Sequence, residues 1–289
     1  MTLIGSELKC NNSEEGGAIY NFKKATVLKT ALEENGAEYG GAIYNTNMMA
    51  IEDSSLKCNC AEYGGAICNS YEVPAIGDGH EKNPIKSLRM GKPIKGNMDV
   101  LKSSFDRNNS KRDGGAILNC EVLNVSESAF TQNSSKKDGG AIQNTGKLKI
   151  FRSTFKSNTV RQFGGAIYHR EGESEISQSS FEVNAAERGG ALNIYRCAMD
   201  LAESEFVKNT AERGGAIHNY EGTLDVCKCI LKDNSAVWFG SAINNYKGNL
   251  VVTQSTIHET IAGNAEQIYS NGQAKIKDCN IDNKPYDAD

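Results

Sequence analysis

The sequence predicts an all-β fold, a single-stranded, right-handed parallel β-helix of about 11–12 coils with 24–26 residues in each. Three observations predict it. The unit S-x-F-x-x-N…G-G-A-I-x-N, as in Ser153-Thr154-Phe155…Asn158…Gly164-Gly165-Ala166-Ile167, returns every 24 to 26 residues through nearly the whole chain. A period that regular is the signature of stacked repeats. Within the unit, apolar and polar residues alternate, as in Leu148-Lys149-Ile150, which points one side chain inward and the next outward along a strand. The apolar runs are too short for helices, and each is closed by Asn or Gly-Gly.

Each unit opens with a strand whose aliphatic column runs Leu3, Val27, Ile51, Val100, Val125, Ile150 and on to Ile276. A small polar column follows (Ser103, Ser128, Ser153 and its equivalents), then a large apolar one containing Phe105, Phe130, Phe155, Phe181 and Phe206. Three residues later stands Asn, from Asn11 to Asn234. Asn amides stacked in register can bond their neighbours above and below, which explains Asn where a β-former is otherwise expected. The glycine pair suits a bend at positive φ or a close approach of backbones. Stacking at about 4.8 Å per coil predicts a rod roughly 53 Å long, and the crossover rule predicts its right hand. The rival solenoid, a leucine-rich repeat, needs a helical or turn-rich segment after its Asn. Gly-Gly-Ala-Ile stands there instead, and each glycine costs a helix about 1 kcal/mol relative to Ala.

The repeat resembles that of the chlamydial polymorphic outer-membrane proteins, defined by paired G-G-A-I and F-x-x-N motifs, and related units of adhesin-like surface proteins. The resemblance covers residues 1 to about 281. It implies a β-helical surface or exported protein that contacts a cell-surface protein, a matrix protein or a glycan.

The predicted domain spans 1–282, with a short polar tail at 283–289. The distance from Leu56 to Phe105 is two periods, so a degenerate coil is expected at 70–98, with Asp78 in the serine column and His80 in the apolar column. Burying a carboxylate and an imidazole there is costly without partners. The coil, which also holds Pro74, Pro84 and Pro93, is therefore expected to bulge as a loop. Loops on rigid scaffolds often carry function, so Asp78, His80 and Glu81 form a candidate loop site; a drifted repeat is the plainer explanation. The preserved period favours a modified coil over an inserted segment.

Net charge is −4 with charges dispersed, so nothing resembles a nucleic-acid footprint. No stretch approaches the roughly 20 apolar residues of a membrane helix, and Met1-Thr2-Leu3-Ile4 does not read as a secretory signal. Neither end shows an obvious cap, which makes end-to-end self-association an expectation. The nine cysteines fall out of disulfide register. Cys10 and Cys58 share a column but stand two coils apart, about 9.6 Å, beyond disulfide reach. Mostly free thiols are expected, with Cys229 and Cys279 replacing inward serines.

One outward column reads Asp99, Asn124, Lys149, Glu175, Asp200, Asp225. Glu175, Asp200 and Asp225 fall in successive coils, and stacked carboxylates repel unless a cation or proton relieves them. Oxygen ligands favour calcium. β-Helical pectin-lyase-like enzymes, the pectate lyases and polygalacturonases, use acidic residues on such faces, although no catalytic motif of either matches here residue by residue. A carbohydrate-active surface is therefore the alternative to a non-catalytic adhesive rod, and ordinary screened surface acids are the plainest account of the column. A strip of small residues including Ser104, Ala129, Thr154 and Ser180 offers a flat contact face or simply strand-compatible surface.

Overall fold

The computed structural model describes residues 1–70, 96–258, 266–282 and, for the backbone, 284–288. Every regular element among them is a strand, and no described helix is long and apolar enough to cross a membrane. One coil shows the plan. A long strand, Val122–Ser126, is followed by two short ones, Ala129–Thr131 and Ser134–Ser135, and by a fourth, Ile142–Asn144, which follows the glycine pair. Each pairs parallel with its counterpart in the next coil, Val125 with Ile150, Phe130 with Phe155, Ser135 with Val160 and Ile142 with Ile167. The row after the glycine pair is a sheet of ten strands, equivalent to nine steps or about 43 Å of stack.

The corners are built from left-handed backbone. Glu127 and Gln132 have φ of 49° and 53°, and Gly139 has 63°. Their counterparts in almost every coil do the same, so two corners accept side chains while the third is glycine. The third cannot accept them: a Cβ on Gly164 would lie 2.2 Å from the Ile167 carbonyl oxygen, and one on Gly165 would lie 2.0 Å from that of Gly190. Two adjacent glycines are therefore required because a Cβ would run into backbone at both, within the same coil at the first and against the next coil at the second.

Inside, Phe105, Phe130, Phe155, Phe181 and Phe206 form a continuous stack with centroids 4.5 to 4.9 Å apart and rings within 5° of parallel. Polar columns close the corners beside them. Ser128 Oγ donates to the Ser126 carbonyl at 2.7 Å and accepts the Ser103 amide at 3.1 Å. Asn133 Nδ2 donates to Asn158 Oδ1 and to the Phe105 carbonyl, both at 3.0 Å. All nine cysteines are free, and Cys229 takes the serine role, its amide donating to Ser255 Oγ at 3.0 Å.

Two places in the stack add to the sequence reading. Met48–Glu52 pairs directly with Asn97–Leu101, Ile51 opposite Val100, and Leu56 lies opposite Phe105. These two rows meet directly, and residues 71–95, which make up most of the degenerate coil expected at 70–98, lie outside the described residues. On either side of them, the Ser70 amide donates to the Asn45 carbonyl at 3.0 Å and the Gly96 carbonyl accepts from the Val122 amide at 3.1 Å. Among the described residues the long-strand row holds eleven strands, from Thr2–Ile4 to Gln273–Ile281. Beyond 282, Lys284–Ala288 is a strand that returns antiparallel along Gln273–Ile281, with Ile281 opposite Lys284. It covers an edge that the sequence leaves open, and covered edges resist strand pairing with another copy.

Candidate functional site

The acidic column is assembled as its spacing predicts. Glu175 lies opposite Asp200, and Asp200 opposite Asp225, all three exposed on the long-strand face. The Asp225 carboxyl is raised above its ordinary value, by partial burial first and by the neighbouring Asp200 charge second. Glu175 is engaged differently: Lys149 of the preceding coil reaches its carboxylate at 2.8 Å. Lys147–Glu173 at 3.4 Å and Lys156–Glu182 at 2.9 Å join the same two coils, so a basic coil lies against an acidic one. Solvent-exposed pairs of this kind contribute at most about 1 kcal/mol each, and they favour register more than stability. A shallow cavity of about 480 Å³ includes Lys149, Glu175 and Asp200 in its lining but not Asp225. Among the described residues, no group of three or more His, Cys, Asp or Glu is placed to hold a metal ion. Asp78, His80 and Glu81 lie outside the described residues. The strip of small residues is in register, Ser104 opposite Ala129 and Thr154 opposite Ser180.

A second surface escaped the sequence reading. The residue after each motif isoleucine points outward by strand alternation, yet Tyr44, Leu118, Gln143, Tyr168, Asn193 and His218 are all buried. Side chains preceding the glycine pair and side chains after the strand rise on either side of this column and turn it into a trench. In the early coils Tyr39, Tyr44, Tyr63, Cys68 and Leu118 fill it, with Tyr39 and Tyr63 stacked at 5.3 Å. Farther along it opens as a cavity of about 410 Å³ that includes Phe163, Tyr168, Arg188, Asn193, Tyr195 and His218 in its lining.

The histidines divide by depth. His169 replaces an Asn of the second ladder, its Nδ1 2.8 Å from Asn144 Nδ2, and burial drives its pKa down to about 4. Ile194 is the next residue in that column, so the ladder stops there and His169 Nε2 has no hydrogen-bond partner. His218 is only 3% exposed. Burial, then Arg188 and Arg213, lower its pKa to about 3.

Residues 127–145 match the family model of the Chlamydia polymorphic membrane protein repeat. This span runs from the corner residue Glu127 through Phe130, Asn133 and Gly139-Gly140 to Asn144, so the likeness covers one unit of the serine, phenylalanine, asparagine and glycine columns. Register carries the same columns into the neighbouring coils, with Phe105 and Phe155 on either side of Phe130. No curated protein and no solved structure matches the chain.

Proposed function

We propose that this chain is a non-catalytic, adhesive β-solenoid displayed at a cell surface or exported, and that it contacts a surface protein, matrix protein or glycan of a neighbouring cell. The match of residues 127–145 to the polymorphic membrane protein repeat carries the reading. The stack supports it, because in-register coils hold outward columns on a rigid scaffold, the arrangement repeat proteins use for extended binding surfaces. The test is binding of the labelled, purified chain to panels of cells, matrix proteins and glycans. Saturable binding to at least one class is expected, and no binding to any of them overturns the reading. Light scattering across a concentration series tests whether copies associate end to end; a strict monomer removes that part.

One observation favours a second reading, a calcium site on a carbohydrate-active face. Asp200 and Asp225 are adjacent, and the Asp225 carboxyl is raised; a hard cation bound by oxygen would relieve that repulsion. Thermal unfolding with and without millimolar calcium, repeated on Asp200→Ala, decides it. A calcium-dependent rise that the variant loses supports the site, and an unchanged midpoint removes it.

A further inference from the structure

We infer that the open half of the trench on the glycine-strand face binds an anionic saccharide, a sugar ring carrying a carboxylate or a sulfate. The inference gives the adhesive reading a ligand class, and rests on that reading only for the setting in which the glycan is met.

The floor comes from three successive coils, with Tyr168 opposite Asn193 and Asn193 opposite His218. On this floor Asn193 Nδ2 donates to the Arg188 carbonyl at 3.4 Å. His218 Nδ1 has no hydrogen-bond partner although the residue is only 3% exposed, and Gln143 Oε1 and Asn244 Oδ1, which flank the floor in the same column outside the cavity lining, are also unpartnered. Buried polar atoms are normally satisfied, so the orphaned His218 Nδ1 on the cavity floor points to a ligand that supplies the missing partner. His218 is neutral, and its ring offers a donor or an acceptor according to tautomer.

The walls supply charge and flat apolar surface. Lys137, Arg170 and Arg188 face the cavity against a single lining carboxylate, Asp138, whereas the chain as a whole carries −4. Glu171 and Glu187 approach Arg170 Nε and Arg188 Nε at 3.6 and 3.5 Å, too far for hydrogen bonds, and neither Nε has a hydrogen-bond partner. Arg188 lies over the Phe163 ring at 5.3 Å, which holds the guanidinium plane at the wall. Tyr195 and Tyr220 stack at 5.2 Å, forming an aromatic rim one coil step long. A planar guanidinium matches a carboxylate or sulfate fork, and an aromatic face beside amide and imidazole groups suits a hydroxylated ring. The cavity, at about 410 Å³, is within the size range of small-ligand sites.

An acidic peptide fits less well. Extended peptides are captured mainly by adding a strand to an open sheet edge. The floor strands Ile167–Arg170, Leu192–Tyr195 and Ile217–Tyr220 are paired on both sides and offer no such edge.

The test is titration calorimetry of the purified chain with oligogalacturonate, a heparin oligosaccharide, a neutral malto-oligosaccharide and oligoglutamate, repeated on Arg188→Gln and Tyr195→Ala. Binding is expected from oligogalacturonate, heparin or both, and the arm that binds assigns carboxylate or sulfate. Each variant should weaken it about tenfold or more, as loss of a central anchor does, while Lys57→Ala on the short-strand face leaves it unchanged. Tyr195→Ala, at the rim, keeps the test valid if Arg188→Gln fails to fold. Absence of binding, equal binding of the neutral sugar or oligoglutamate, or indifference to both variants overturns the inference. Cell binding that survives Arg188→Gln sinks the groove alone; groove binding by a chain that ignores every cell type sinks the adhesive reading alone.

Discussion

Replacing Asn133 by alanine removes four hydrogen bonds from the interior of the stack: two that its Nδ2 donates, to Phe105 O and Asn158 Oδ1, and two that its Oδ1 accepts from Asn108 N and Nδ2. The Asn133 amide keeps its own bond to Asn158 Oδ1, and Asn108 Nδ2 keeps the Leu56 carbonyl. The Asn108 backbone N–H, fully buried, is the group left stranded. An orphaned buried donor costs about 1–3 kcal/mol and each of the other three bonds about 0.5–1.5 kcal/mol, so the loss should be roughly 2.5–7.5 kcal/mol. Asn11, at the start of the same ladder, is the internal comparison. Its side chain makes one such bond, Nδ2 to Asn35 Oδ1 at 2.9 Å, so Asn11→Ala should cost no more than about 1.5 kcal/mol. Urea unfolding followed by circular dichroism reads both, with hydrogen exchange added because repeat stacks can open in part. Small and equal losses for the two variants would refute the ladder as a source of stability.

Phe155→Ala should destabilise by about 3–5 kcal/mol in the same assay, since the ring is fully buried between Phe130 and Phe181. Gly165→Ala should be at least as damaging as Gly5→Ala is mild, because its Cβ would meet the Gly190 carbonyl at 2.0 Å while nothing lies within 4 Å of one on Gly5; the two unfolding midpoints compare them. Acid should weaken the fold through His169. Its folded pKa of about 4 lies below the ordinary histidine value of 6.5, so the unfolded chain binds the extra proton. The stability is fully present above pH 6.5 and is lost as pH falls toward 4, by about 3 kcal/mol in all. His169→Asn should flatten that part of the pH profile, and an unchanged profile would show the imidazole to be accessible.

The columns were legible because the same residues return at one period, and stacking turns sequence period into spatial contact. The segment at 70–98 misled for that very reason. The distance from Leu56 to Phe105 equals two periods, yet the two residues lie directly opposite each other. The corners at Glu127 and Gln132 were invisible because neither is glycine; a trace existed in columns such as Lys102, Glu127, Arg152 and Gln178, all at positive φ and none β-branched. The acidic column followed from register alone, whereas the Lys149 contact to Glu175 needed side-chain positions. The trench was beyond reach from sequence. Alternation correctly points Tyr168 and His218 outward, but their burial comes from neighbouring columns such as Arg188 and Tyr195, which rise beside them, and no local pattern encodes that.

Display at the surface is the claim from which the adhesive reading follows, and labelling intact cells of the source organism with antibody against the purified chain tests it most directly. The account predicts signal on unpermeabilised cells, removed by external protease. Signal that appears only after permeabilisation would contradict it.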